Sequence, residues 1–305
     1  VNFRRAVDLY FADMQSAGRI NSERTVEGYA RVLHAHADDI GNRDPRTVGR
    51  DDCKRTLARW EHPNTQAFGR SVLVSFYDWT VEEGMRPANP ARQTRRPRRR
   101  PATVYRLTRE EAVRLLDACA DIQDTRAIYL GLCAGLRSAE LRGMRGRHFE
   151  RDGFVRVTAD IGKGKKERYI PIVDELAPIV ADIQSTCALE HYVLTARRSA
   201  NPPMNTHFRD VPTRPMSAQS LWNLVGRMGV RAGISEPLHP HLLRHAFGDH
   251  IARHGGLKVA QALMGHADVK TTRGYVDNPK LDELAVAVRG LRFDAGRVAP
   301  RSRAL

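Results

Sequence analysis

Six residues spread between positions 137 and 275 carry side chains suited to chemistry at an oxyanion. They are Arg137 in "AGLRSAEL", Lys163 in "IGKGKKER", His241 and Arg244 in "HPHLLRHAF", and His266 and Tyr275 in "LMGHADVKTTRGY". A guanidinium forks onto two oxygens, and an imidazole supplies or takes a proton near neutral pH. A phenol, with a pKa of about 10, is mostly protonated at neutral pH, so it attacks only where its proton is removed and the charge developing opposite it is stabilised. A lysine can deliver the proton that a departing oxygen needs.

Each motif also has a plain reading. Arg137 is three residues from Glu140, a spacing common in structural ion pairs. Lys163 stands in a glycine turn, where lysines ordinarily serve solubility. His266 follows Gly265 at the end of "LKVAQAL", where a helix C-cap is expected and a histidine can serve the cap alone. Tyr275 alone is an aromatic at the end of a polar run. The pair His241 and Arg244 is more pointed: Pro240 suits the first turn of a helix, and a three-residue step puts both on one face, with Leu243, Ala246 and His250 on the other.

The elements that must hold these residues are legible in outline. In "SERTVEGYARVLHAHADDI", Ser22 is a candidate N-cap, and Val26, Tyr29, Ala30, Leu33, Ala37 and Ile40 recur at helical steps. "SVLVSFYDWTVEEGM" predicts a second apolar helix that "RPANPA" ends, closing a helical domain over residues 1–91. Residues 92–103 read as an extended linker with Arg92, Arg95, Arg96, Arg98, Arg99 and Arg100 broken by prolines, either an inert tether or a strap along a phosphate backbone. A second domain, residues 104–293, opens with a Thr108–Glu111 capping box. Within it "GFVRVTADIGKGKKERYIPI" alternates about a Gly-Lys-Gly turn as a β-hairpin does. The rest is expected to be helical, with "RRSANPPMNTHFRDVPTRPMS" as a loop, Leu281, Leu284, Ala285, Val288 and Leu291 as an apolar stripe on a last helix, and residues 294–305 as a mobile tail. The fold class is mainly α with a small β-sheet.

Composition narrows the partner. With 50 Lys and Arg against 35 Asp and Glu, a net charge of +15 and a pI near 10.2, the chain calls for a polyanion, and nucleic acid leads. A basic membrane-surface protein shares that charge, but no long uncharged apolar stretch or signal pattern accompanies it, so a cytoplasmic protein is expected. Cys53, Cys119, Cys133 and Cys187 are widely spaced, and neither zinc nor disulfides are expected.

In their order, an Arg, a hairpin Lys, a His-x-x-Arg and a Gly-His with Tyr nine residues later, the motifs resemble the catalytic set of the tyrosine recombinases, the phage integrase and Xer-like family. "SFYDWTVEEGMRPANPA" resembles the end of that family's helical core-binding domain, and residues 104–292 its catalytic domain. The resemblance implies Arg137 and Arg244 as phosphate clamps, His241 in proton transfer, His266 as an activating donor, Tyr275 as nucleophile and Lys163 as general acid, with Lys165 and Lys166 nearby as rivals for that role. Glu140 matches an acidic position that supports the site. With the linker arginines, Lys165, Lys166 and Arg168 complete the expected DNA-contacting set.

The resemblance further implies site-specific recombination without a cofactor or metal, because a phosphotyrosine link keeps the phosphodiester energy. It implies two domains closing around duplex DNA, four protomers synapsing two sites through a Holliday junction, exchange of the C-terminal helix between neighbours, and room for an accessory DNA-bending or directionality protein. Because "VNFRRAVDLYFADM" enters the core-binding pattern at once, a compact type without an arm-binding domain is expected, near the nucleoid of a bacterial host. Integration or excision of phage or mobile DNA is the leading role, and Xer-type resolution of chromosome or plasmid dimers the alternative. A type IB topoisomerase or a catalytically silent DNA-binding protein of the same fold stands further off.

Overall fold

The computed structural model describes residues 1–20, 22–98, 105–149, 153–162, 167–201 and 205–265, with Leu284 and Val286. Two compact units divide the chain between Thr103 and Val104.

The first unit is built from α1 (Phe3–Ser16), α2 (Glu23–Asp39), α3 (Arg50–Ala58) and α4 (Pro63–Glu82). Ser22 caps α2 as its sequence predicts, its side chain accepting from the Thr25 N–H. The apolar steps of α4 bury Val72, Leu73, Phe76, Tyr77 and Trp79 against Phe3, Tyr10 and Leu33. At the centre His36 is fully buried, with Nδ1 2.6 Å from the Thr56 hydroxyl and Nε2 2.8 Å from that of Tyr77. Burial outweighs the nearby Asp39 and Asp52 and brings its pKa from 6.5 down to about 4.

That histidine gives the unit an acid sensitivity whose sign is fixed. Above pH 6.5 folded and unfolded chains both hold it neutral. Below, the unfolded chain takes up a proton that the folded one refuses until about pH 4. Stability should therefore fall by about 2 kcal/mol between pH 6.5 and pH 5 from this group alone. Calorimetry at stepped pH checks this: the N-terminal transition of His36→Gln should depend less on pH than the parent's, and equal dependence would remove His36 as the cause.

The chain does not leave this unit where α4 ends. Asn89 donates to the Val74 carbonyl and the Asp78 carboxylate, at 2.9 and 2.7 Å. Arg92 grips both oxygens of Asp78 at 2.7 Å, and Arg70 donates to the hydroxyl of buried Thr94 at 3.0 Å. Arg92, read from sequence as part of an extended linker, is thus pinned to α4.

The second unit begins with α5 (Arg109–Asp117), where Thr108 and Glu111 form the expected reciprocal capping box. Helix α6 (Ile122–Cys133) is buried on nearly every side and forms the axis of the core. Around it lie α7 (Ser138–Gly143), α8 (Ala177–Thr186), α9 (Ala218–Arg231), α10 (Pro240–His254) and α11 (Gly256–Met264). Helix α10 packs closely on α6: a methyl added at Gly131 would meet Leu243 at 2.7 Å. The predicted hairpin is present, β1 (Phe154–Val157) pairing antiparallel with β2 (Arg168–Pro171), Val157 opposite Arg168.

One segment differs from its sequence reading. The expected loop contains a second antiparallel hairpin, β3 (Thr195–Asn201) and β4 (Asn205–Pro215), with register shifts along it. Its sequence lacks a two-residue apolar alternation and carries prolines that signal loops, so the backbone ladder that makes it a sheet leaves little trace in side-chain pattern. The fold is mainly α with small two-stranded sheets, as the sequence predicts. Among the described residues no helix is long and apolar enough to cross a membrane.

Candidate active site

Three arginines from three elements converge on one buried carboxylate. Glu140 lies in the first turn of α7, 1% exposed, and its carboxylate accepts from the Arg137 backbone N–H at 2.7 Å, closing the helix start. The Arg137 side chain donates to the same carboxylate at 2.8 Å. Arg168, at the start of β2, forks onto both Glu140 oxygens at 2.9 and 2.7 Å. Arg244 of α10 comes within 3.9 Å of it.

The same guanidiniums collect the carbonyls at the C-terminal end of α11. Arg168 Nε donates to Leu263 at 2.8 Å, Arg137 Nη2 to Met264 and Gly265 at 3.1 and 2.8 Å, and Arg244 Nη2 to Met264. These are carbonyls that a helix leaves unpaired, at the negative end of its dipole. Arg244 also donates to the Gly135 carbonyl at 2.6 Å, in a turn where Gly135 has φ +59° and an added Cβ would strike Phe247 at 2.3 Å. Gly265 takes the left-handed cap of α11, φ +57°, as expected just before His266.

Among the described residues, three guanidiniums less one carboxylate leave two positive charges on side chains of low exposure. Burial pushes the Glu140 carboxyl up, but Arg168 and Arg137 outweigh it and hold it at about 2, so it stays ionised. Burial, with Arg137 and Arg168 adding repulsion, brings Arg244 down to about 10, still a cation at neutral pH. Arg137 spends one Nη1 and two Nη2 contacts on described partners, leaving its Nε edge for an incoming group. A singly charged anion at this edge would offset one of the two.

His241 stands at the mouth, exposed, on the first turn of α10 with Pro240 at the helix start. Arg244, one turn on, is buried beneath it, so the expected pair is stacked in depth, with the cation inside and the imidazole at the rim. The His239 and His245 rings lie 6.5 and 6.3 Å from His241. Burial first, then these imidazoles, Arg244 and Arg137, lower its pKa, favouring the neutral ring that can accept a proton.

Residues 105–281 match the phage integrase family. The chain belongs to that family. Tyrosine recombinase XerD of Shewanella oneidensis is 29% identical over 296 residues, covering 91% of this chain and 94% of that protein. Tyrosine recombinase XerD of Xanthomonas campestris pv. campestris is 34% identical over 269 residues, with 83% and 79% covered. Among solved structures, a lambda integrase (75–356) dimer bound to a COC′ core site superposes with a TM-score of 0.69 at 18% identity, covering 91% of this chain and 99% of that one. The Tn1549 transposon integrase in complex with circular intermediate DNA gives 0.64 at 20% identity, covering 92% and 98%. At those identities the structures speak for the fold alone, and the fold is shared. The protein is a tyrosine recombinase, an enzyme of site-specific recombination.

Of the sequence-predicted residues, this recombinase brings Arg137, Glu140 and Arg244 together, with His241 on the helix that carries Arg244. Arg168, expected as a DNA contact, joins them: its side chain is 9% exposed and engaged with Glu140 and Leu263. Arg95, Arg96 and Arg98 are exposed. Lys163, Lys165, Lys166, His266, Tyr275, Arg99 and Arg100 lie outside the described residues.

Sequence reasoning missed one neighbour of the site. Trp222 on α9, 51% exposed, stacks on His239 with ring centres 5.0 Å apart and planes at 9°. The alternating histidines of "HPHLLRH" are the only sequence signal for it.

Proposed function

We propose that this recombinase cleaves and rejoins double-stranded DNA through a covalent 3′-phosphotyrosine at Tyr275. The observation that carries the reading is the buried arginine cluster on Glu140 with two uncompensated positive charges and His241 at its rim. A phosphodiester carries one negative charge and its five-coordinate transition state carries two, so a site with two positive charges favours the transition state over the ground state.

In this reading Arg137 and Arg244 hold the non-bridging oxygens, His241 and His266 manage protons at the attacking side, and Lys163 protonates the departing 5′-oxygen. Attack by the Tyr275 oxygen forms the phosphorus–oxygen bond as the bond to that 5′-oxygen breaks. Religation to a new 5′-hydroxyl reverses these steps and needs no energy source. The biological cycle would run as a homotetramer on two synapsed sites, through a Holliday junction and with C-terminal helix exchange, for integration or excision of mobile DNA. The support is a tetramer on a Holliday junction solved for lambda integrase. Xer-type dimer resolution is a second reading, favoured by matches to XerC and XerD proteins that span 83–91% of this chain. The basic linker, with Arg95, Arg96, Arg98, Arg99 and Arg100, is read as a phosphate strap.

A nicked substrate whose cleaved fragment diffuses away tests the reaction, since religation is blocked and the adduct accumulates on a denaturing gel. Absence of any adduct on DNA flanking the gene, where attachment or recombination half-sites are expected, would leave only binding.

The general acid can be assigned separately. Lys163→Ala should slow cleavage on the order of 100-fold on ordinary DNA. Replacing the leaving oxygen by sulfur, which departs without a proton, should restore the rate to within a few-fold of the parent. Equal slowing on both substrates would transfer the role to Lys165 or Lys166.

A further inference from the structure

The Arg168 guanidinium has three separate anchors, and they belong to two distant motifs. Its Nη atoms fork onto Glu140, 28 residues earlier, at 2.9 and 2.7 Å, and its Nε reaches Leu263, 95 residues later, at 2.8 Å. Its stem lies under the α11 cap, so that a Cβ added at Gly265 would come within 3.2 Å of Arg168 Cδ. Glu140 in turn fixes Arg137 through both backbone and side chain, and Gly265 immediately precedes His266.

We infer that Arg168 is a positioning residue that sets the Arg137 clamp and the His266 end of α11 against each other, an inference that rests on the recombinase reading of this site. The physical case is one of geometry. A planar fork can meet a carboxylate on one edge while its Nε donates elsewhere, whereas a lysine offers one ammonium that cannot reach both partners. Glu140 alone does not fix the arrangement, because its two contacts with Arg137, one from the backbone N–H and one from the guanidinium, lie within one helix turn and reach nothing on α11. Arg168 brings a second guanidinium to both oxygens and adds the Leu263 carbonyl, so that α7 and the end of α11 share one planar group. The guanidinium is buried and spent on protein partners, so it acts through Arg137 and His266 without touching the phosphate.

Arg168→Lys keeps the charge and loses the fork. Single-turnover cleavage of ordinary DNA should fall on the order of 100-fold, with DNA affinity unchanged. On a methylphosphonate, whose missing oxygen charge removes much of the work of the clamp, the deficit should shrink to a few-fold. On DNA with a sulfur leaving group it should stay near 100-fold, in contrast to Lys163→Ala. A scaffold role alone would slow all three substrates by a common factor, and that result, or a parental rate on ordinary DNA, would overturn the inference. Glu140→Gln combined with Arg168→Gln replaces the ion pair with two amides, keeps the net charge of the cluster, and should show the same substrate pattern.

A measurement without catalysis separates this inference from the reaction itself. In Arg168→Lys, amide hydrogen exchange should quicken together in residues 138–143 and 261–265 while the N-terminal unit is unchanged. If only one segment responds, Arg168 does not join them. If the parent protein forms no adduct while both segments respond, the proposed reaction fails and the joining role stands.

Discussion

Tyr275→Phe should bind recombination-site DNA with parental affinity and form no covalent adduct. The substitution keeps the ring and the charge and removes the phenol oxygen, the nucleophile of the proposed reaction. Nothing in the arginine cluster substitutes for it: the guanidiniums of Arg137, Arg168 and Arg244 are cations without a nucleophilic lone pair, and Glu140 is held by two of them. The loss should therefore reach the detection limit, where removing a helper group leaves a measurable rate. Gel shift for affinity and denaturing gels with end-labelled nicked DNA for the adduct make the comparison. An adduct that persists in Tyr275→Phe would move the nucleophile elsewhere.

Arg244→Lys should cost on the order of 1000-fold in single-turnover cleavage, with DNA binding close to parental. Arg244 is buried, and its guanidinium already spans the Gly135 and Met264 carbonyls, so its orientation is set before DNA arrives. A lysine delivers the same charge from a flexible stem, but its three donors radiate from a single nitrogen, so it cannot span both carbonyls and a phosphate oxygen as the wide guanidinium does. Preorganisation is the quantity lost, and it enters the rate more than the affinity because the negative charge on the non-bridging oxygens is greatest in the transition state. Loss of the two carbonyl contacts should also lower the melting temperature by several degrees. Cleavage within a few-fold of the parent, despite a lowered melting temperature, would make Arg244 a structural cation only.

What could be read in advance was what neighbours along the chain decide. The Ser22 cap of α2, the Thr108–Glu111 box, Pro240 opening α10 and the left-handed Gly265 are relations over a few residues, and each stands where the sequence places it. The β1–β2 hairpin was equally local, set by alternation about a glycine turn. Candidates for the site could be named for a different reason: few residue types can attack, clamp or protonate at a phosphate, and the order of these along the chain resembles that of the family.

Tertiary structure alone decided the partners. Nothing local in "KKERYIPI" says that Arg168 points inward to Glu140 and Leu263, since an arginine beginning a strand has solvent and core open to it and the choice depends on a carboxylate 28 residues away. The gathering of three arginines on the α11 carbonyls, the pinning of Arg92 to Asp78, and the β3–β4 ladder are likewise pairings. Sequence determined which side chains this recombinase has for its reaction and which short elements carry them. The fold determined which charges meet, because hydrophobic periodicity records the face an element buries, while the direction and strength of an ion pair depend on distance and burial that exist only once the chain has closed.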